Sequence, residues 1–341
     1  MRVFHSPAAQ NHDPSRYFRR GETIPHPEQA SRYAILRDAA VGAGHEIVEA
    51  GDHGLDPILA VHDPAYVAFL RDAWGRRHEL PNVGDEIITG HFARPQMHRR
   101  PTSLLGLIGL FTADTSTPIR AGTWSAIHGA AQAAISAAGV ALDGGHAYAL
   151  ARPPGHHAYA DSAGGFCFLN NSAIAAARLL AATGGQVAVL DIDVHHGNGT
   201  QGIFYRSGAV ATVSVHADPA TYFPYFAGYA DERGAGDGEG ANHNLPLAHG
   251  TGDAGWLEAV ERGLALALAR GPKALVVALG FDASADDPIG VLKVTQDGFA
   301  RAAGLIARAG LPTVLVQEGG YLCEALPRNL VAFLGAFDAA R

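Results

Sequence analysis

One run constrains this chain more than any other: Val189-Leu-Asp191-Ile-Asp193-Val-His195-His196-Gly197. Apolar β-formers lead straight into two aspartates and a histidine at alternate positions. Residues i and i+2 of an extended segment share a face, so Asp191, Asp193 and His195 can converge on one point at a strand's end. Two carboxylates and an imidazole suit a divalent ion such as zinc. The bland alternative is a strand closed by a solvated Asp-His turn.

Three more segments bring matching chemistry to strand ends. Ala147-Tyr-Ala-Leu-Ala-Arg152 stops at Pro153-Pro-Gly155 and is followed at once by His156-His157. Open α/β sheets place their sites at the carboxyl ends of their strands. Ala274 to Leu279 leads into Gly280-Phe-Asp282, and Thr313 to Gln317 leads into Glu318-Gly-Gly-Tyr321. Alone, a strand-end Asp can be a helix cap and a loop Tyr can simply pack. Together the four ends supply carboxylate and imidazole ligands, two imidazoles for proton transfer and a phenol to steady an anion. That set suits metal-assisted hydrolysis. The chain has 18 histidines, so most must be bystanders. His12, His26, His78, His91 and His98 fall in polar, irregular stretches and are expected at the solvated surface. His196 is expected to point away from His195 and to be structural.

The motifs Arg152-Pro-Pro-Gly-His-His157, Gly164-Gly-Phe-Cys-Phe-Leu-Asn-Asn171, Asp191 to Gly199, Val213-Ser-Val-His216, Gly280-Phe-Asp282 and Glu318-Gly-Gly-Tyr321 keep one order along the chain. In that order they resemble the zinc-dependent histone deacetylase superfamily, and most of all its bacterial acetylpolyamine amidohydrolases. The resemblance implies one zinc held by Asp193, His195 and Asp282. It implies that His156 and His157 are the acid/base pair, with Asp191 behind His156 and Asn198 behind His157. Tyr321 resembles the tyrosine that binds the substrate carbonyl oxygen. Gly165, Phe166 and Phe223 match the tunnel around the acyl-aminoalkyl chain, and Ile289 matches an apolar residue at its base or rim. Asp191, Asp193, His195, Ser214 and Val215 match a structural site for K⁺ or Na⁺. Arginase-like relatives bridge two manganese ions with further carboxylates, but here those positions are Gly197 and Ser284, which favours one metal.

The same resemblance implies hydrolysis of acetyl or short acyl groups from acetylated polyamines or small diamines. A protein acetyl-lysine deacetylase, a broader deacylase, and a metal-containing binding protein on the same scaffold remain alternatives. Residues 77–123 resemble the insertion by which the polyamine branch dimerises and narrows its tunnel mouth, so a homodimer is expected. Some members place glutamates in this loop and near the N-terminus. Here the corresponding stretches read Pro101-Thr-Ser-Leu-Leu105 and Asp13-Pro-Ser-Arg-Tyr17, which favours short diamines or a broader range.

Composition bounds the rest. A net charge of −8 argues against nonspecific nucleic-acid binding and is compatible with a small cationic acetylated amine. Cys167 and Cys323 are the only cysteines, so no disulfide framework is expected. The N-terminus lacks a signal-peptide core, and no apolar run approaches the ~18 residues of a membrane span. A cytoplasmic protein without membrane association follows.

Strand and helix patterns alternate after residue 124, which predicts a single α/β domain over residues 1–341: a mainly parallel sheet with helices on both faces. Earlier, strands are expected at Arg2 to His5 and His45 to Glu49, and helices at Pro27 to Ala43 and Pro64 to Arg76. Residues 77–123 read as irregular. The apolar run Leu104 to Phe111 within them is open between a core helix and a buried interface.

Overall fold

The computed structural model describes residues 1–97 and 99–341. His98, expected at the surface, lies outside the described residues. The strands are β1 (Arg2–His5), β2 (Arg16–Arg19), β3 (Glu22–Pro25), β4 (Glu46–Glu49), β5 (His146–Ala149), β6 (Val187–Asp191), β7 (Val210–Ala217), β8 (Asn242–Leu247), β9 (Ala274–Leu279) and β10 (Thr313–Gln317). Eight form one sheet in the order β4-β1-β5-β10-β9-β6-β7-β8, and β2 pairs with β3 as a separate hairpin. Every pairing in the large sheet is parallel. Buried parallel strands read as continuous apolar runs, and β6, β9 and β10 are buried along their whole length.

Helices cover both faces, as expected. On one side α3 (Pro64–Asp72), α4 (Leu104–Phe111), α5 (Thr123–Leu142) and α6 (Asn171–Thr183) pack with Val187, Val189, Val276 and Val314. On the other, α1 (Ser31–Gly42), α8 (Asp253–Leu268), α9 (Gln296–Ala307) and α10 (Ala325–Ala339) pack with Ala188, Leu190, Val277 and Leu315. Alternate residues of each strand therefore feed opposite cores. Two short helices, Asp56–Leu59 and Asn198–Phe204, complete the set. The four central strands β5, β10, β9 and β6 all deliver their carboxyl ends to the same edge.

Several expectations need correction. His12 and His26 are not surface groups: each is 2 % exposed. Tertiary partners account for this, since His12 Nδ1 lies 2.9 Å from Thr123 Oγ1 and His26 Nε2 lies 3.1 Å from the Ser116 carbonyl. His78 and His91 are exposed, as expected, while His196 is buried with its Nε2 3.1 Å from Gln201 Oε1. The hairpin β2–β3 and the strand β8 were not anticipated. Residues 77–123 are less irregular than their composition implies. Leu104, Leu107, Ile108 and Phe111 of α4 face the core, while Leu105 is 47 % exposed. Finally, α5 is long and apolar enough to cross a membrane, contrary to the expectation of no such run, but most of it is buried within the fold.

Candidate active site

The end of β6 begins the site. Asp191 Oδ1 accepts the Asp193 amide at 3.1 Å, and Asp193 Oδ1 accepts the His195 amide at 2.8 Å. These turns fold the Asp-x-Asp-x-His run back on itself. Asp193 Oδ2 accepts the Gly319 amide at 2.7 Å, and Asp282 Oδ1 accepts the Val194 amide at 3.0 Å. The three strand ends are thus laced together by carboxylate-to-amide bonds. Gly319 permits this approach, since a Cβ there would stand 2.0 Å from Asp282 Oδ2.

Donor atoms of Asp193, His195 and Asp282 all lie within 4.8 Å of one another. His195 Nδ1 is 3.1 Å from Asp193 Oδ1 and 3.2 Å from Asp282 Oδ2. Asp282 Oδ2 is buried and has no hydrogen-bond partner among the described residues. Two fully buried carboxylates call for a compensating cation. Although burial lowers the His195 imidazole, Asp193 and Asp282 outweigh it and draw it up to about 9. The orphaned oxygen, the shared focus and the donor set all fit a divalent metal ion. A second group, His156, Cys167 and Glu318, also brings donor atoms together. Glu318 is otherwise engaged there: Oε2 accepts the Gly155 and His156 amides at 2.6 and 3.0 Å, and Oε1 accepts the Ser172 hydroxyl at 2.7 Å.

The tandem histidines stand beside the metal ligands with ring centroids 4.0 Å apart. His156 Nδ1 lies 2.9 Å from Asp191 Oδ2, and His157 Nδ1 lies 2.6 Å from Asn198 Oδ1. Their surroundings push them in opposite directions. Burial would lower His156, but Asp191 and Asp193 raise it well above the ordinary imidazole value. Burial, then the charge of His156, holds His157 well below that value.

Tyr321 faces the same space and is 4 % exposed. Its amide donates to Asp287 Oδ2 at 2.8 Å, and the Arg32 guanidinium sits 5.0 Å from its ring. Arg32 also donates to the Gly320 carbonyl at 2.6 Å and the Glu318 carbonyl at 2.9 Å. Glu28 balances it, accepting from Arg32 at 2.8 Å and from Arg152 at 2.7 and 2.9 Å. This buried charge group, which braces the Tyr321 loop, was missed in the sequence. Arg32 and Gly320 are 288 positions apart, and no local pattern joins them.

A cavity of about 490 Å³ opens from this floor. His157, Gly165, Phe166, His195, Phe223 and Tyr321 line its inner part, with Ile289 on its wall. The Phe223 ring stands edge-on to His157 at 4.9 Å. Gly165 has φ +56° and a Cβ there would meet His157 at 2.4 Å, so only glycine fits. Tyr222, absent from the expected set, stacks on His195 at 4.9 Å and 14°. Its signal was its position next to Phe223. A larger groove of about 760 Å³ lies between α8, α9 and α10 but carries none of these residues. For the monovalent-cation set, the register pairs Asp191 with Ser214, and Ser214 and Val215 are buried beneath the floor.

The family description "Histone deacetylase domain" matches residues 26–337. The chain belongs to the histone deacetylase family. An acetylpolyamine amidohydrolase of Burkholderia pseudomallei is 44 % identical over the full length of both chains. That of Mycoplana ramosa is 41 % identical, covering 92 % of this chain and 93 % of its own. A crystal structure of the Burkholderia pseudomallei acetylpolyamine aminohydrolase superposes with a TM-score of 0.96, covering 100 % of this chain and 99 % of that one. The expected deacetylase likeness and parallel-sheet fold therefore hold, and the chain is a hydrolase of the deacetylase class.

Proposed function

We propose that this deacetylase hydrolyses the amide of a small acetylated amine, with one zinc ion held by Asp193, His195 and Asp282. The observation that carries the reading is the focus of those three donors at the floor of a cavity that also exposes His157 and Tyr321. The names of the relatives support acetylated polyamines as the substrate class, and short acetylated diamines are the nearest variant of it. When bound, zinc supplies Lewis-acid polarisation of the acyl carbonyl and makes water acidic enough to attack near neutral pH.

The chain's own groups then move the protons. His157, held low by burial, takes the water proton at Nε2 while Nδ1–H stays on Asn198 Oδ1. Tyr321 donates to the oxyanion that forms on the carbonyl oxygen as water adds to the acyl carbon, a contribution of about 3 kcal/mol in comparable sites. His157 returns its proton to the amine nitrogen as the C–N bond breaks, giving a carboxylic acid and a free amine. His156, kept positive by Asp191, acts as an electrostatic partner. Gly165, Phe166, Phe223 and Ile289 grip the chain that joins the amide to the rest of the substrate.

Asp191, Asp193, His195, Ser214 and Val215 form the proposed K⁺ or Na⁺ site, with backbone carbonyls contributing. Residues 77–123 form the inserted element of one domain over residues 1–341 and the proposed homodimer contact. The inward face of α4 leaves Leu105, with Ile88 and Met97, as its exposed apolar surface. A monomeric mass in solution at micromolar concentration would refute that contact. A cytoplasmic setting belongs to the same reading and is supported by two free cysteines.

The test is acetate release from acetylputrescine, acetylcadaverine, acetylspermidine, acetylspermine and acetyl-lysine peptides, run beside metal analysis of the same preparation. Turnover of small acetylated amines with one divalent ion per chain is expected. Turnover confined to peptides would replace the substrate class. Activity with no metal, or with two bridged ions, would overturn the mechanism.

A further inference from the structure

The loop after β9 holds a buried carboxylate that the reaction outlined above does not use. Asp287 follows the metal ligand Asp282 in this loop and is 8 % exposed. A carboxylate in such a place is costly unless hydrogen bonds compensate it. Backbone amides do so here. Oδ1 accepts the Ile289 and Gly290 amides at 2.9 and 3.0 Å, and Oδ2 accepts the Tyr321 amide at 2.8 Å. Pro288 has no amide hydrogen, so the first amides able to turn back to the carboxylate are those of Ile289 and Gly290. Gly290 lets the loop return to the metal ligand, since a Cβ there would stand 2.0 Å from the Asp282 carbonyl oxygen.

These bonds join two parts of the cavity that follow different strands. Ile289, on the wall, comes after β9, and Tyr321, at the floor, comes after β10. Ile289 is held from its other side as well. Its carbonyl accepts the Tyr222 hydroxyl, and the Tyr222 ring stacks on His195. A continuous path of contacts therefore runs from a metal ligand to the oxyanion donor: His195, Tyr222, Ile289, Asp287, Tyr321. The Tyr321 ring is flanked by Phe166, edge-on at 5.8 Å, and by the Arg32 guanidinium at 5.0 Å. Its backbone is gripped at two points. Arg32 holds the carbonyl of Gly320, and Asp287 holds the amide of Tyr321 itself.

We propose that Asp287 is a positioning residue for the hydrolysis: one carboxylate sets the Tyr321 phenol against the acyl oxygen and the Ile289 wall against the substrate chain. This deepens the reading above and rests on the roles given there to Tyr321 and Ile289. Asp287 does not line the cavity, so its part is geometric. Displacing a reacting group by about 1 Å can cost on the order of 10²-fold in rate. A carboxylate suits the task because each oxygen serves a different loop and its charge strengthens all three bonds. A side-chain amide of the same size has one acceptor oxygen and holds only one loop.

Steady-state turnover of acetylcadaverine tests this, with metal content and unfolding temperature measured on every variant. Asp287→Ala is expected to keep its metal, to lower kcat by about 10-fold or more through Tyr321, and to raise KM several-fold through Ile289. The kcat loss should vanish when Tyr321→Phe/Asp287→Ala is compared with Tyr321→Phe, because no phenol is left to position. The KM rise should remain. Asp287→Asn, which keeps the size and one acceptor oxygen, should restore one of the two effects, and it carries the test if the alanine variant does not fold. A kcat loss of equal size in both backgrounds, or one that comes with loss of the metal, would overturn the assignment. Hydrogen exchange separates this proposal from the reaction. Segments 287–291 and 319–323 should both exchange faster in Asp287→Ala. Faster exchange there with a silent Tyr321→Phe would remove Tyr321 from the hydrolysis and leave the tie between the loops standing. Unchanged exchange, with the expected loss in Tyr321→Phe, would overturn the tie alone.

Discussion

At the floor of the cavity, Asp193 and Asp282 are fully buried and each is bonded to a backbone amide from another strand end. At the mouth, Phe18 is 55 % exposed and the hairpin that carries it pairs with no strand of the main sheet. The floor is over-determined: moving one ligand disturbs two loops and a parallel sheet behind them. The mouth is lined by that hairpin and by loop residues such as Thr115, Tyr225 and His249, so it can be altered without disturbing the metal ligands. Chemistry and selectivity are therefore built on supports of different stiffness, and substitutions in the two regions should give different signatures.

The largest effect is expected at the floor. Asp282→Ala removes one donor and strips the Val194 amide of its acceptor. Loss of measurable turnover and of the bound metal is expected, with chelation of the parent enzyme giving the same loss. Metal analysis beside activity checks this. A variant that keeps both its metal and its turnover would break the distinction between floor and mouth.

Tyr321→Phe comes next. Near-normal metal content with kcat lower by ~10²-fold is expected, because only the oxyanion donor is lost. The Arg32 and Asp287 contacts act on the ring and backbone and should persist. Turnover within a few-fold of the parent would reduce Tyr321 to a packing residue.

The same division explains how much could be read in advance. The floor was legible because each functional side chain follows directly on an apolar strand, so local periodicity and strand-end placement put Asp193, His195, Asp282, His156 and Tyr321 together. Much of the mouth and bracing was not. Tyr17 to Arg20 reach the rim of the cavity through the β2–β3 hairpin, which was not anticipated. Glu28 and Arg32 lie on and before α1, and their partners are far along the chain. His12 and His26 sit among polar neighbours in sequence, but Thr123 and the Ser116 carbonyl bury them. Strand β8 carries Asn242, Asn244 and Pro246, a composition tolerable because it is an edge strand. Such positions are set by tertiary partners, which periodicity does not reveal.

A smaller effect, still at the floor, separates the two histidines. Asn198→Asp places an anion 2.6 Å from where His157 Nδ1 now meets a neutral amide. An adjacent carboxylate favours the imidazolium, so the His157 pKa should rise by about one unit or more. A general base must be neutral, so the acidic limb of the pH–kcat/KM profile should move upward by the same amount. Activity above that limb should fall much less. An unmoved limb, together with His157→Ala milder than His156→Ala, would assign the base to His156 instead.

The smallest effect lies in the N-terminal segment that leads from the core to the mouth hairpin, and it shows which region that segment resembles. His12 is buried against Phe168, with ring centroids 5.2 Å apart, and its pKa is lowered to about 3. Burial is the main cause; Glu28 pulls the value up and Arg152 pushes it down again. In the unfolded chain the same group titrates near 6.5. Between those values the unfolded chain holds a proton that the folded one refuses. Stability from His12 is therefore complete above pH ~6.5 and is lost as the pH falls toward 3, by at most about 1.4 kcal/mol per unit. At pH 5 the loss is about 2 kcal/mol. His62 and His216, lowered to about 4, act in the same direction and remain in a His12 variant. His12→Gln keeps a polar group toward Thr123 but has nothing to protonate. Its unfolding temperature at pH 7.5 should be near or somewhat below that of the parent, and the drop between pH 7.5 and pH 5 should be smaller. If the drop is the same in both proteins, water reaches His12 in the folded state, and this segment belongs with the loosely supported mouth rather than with the floor.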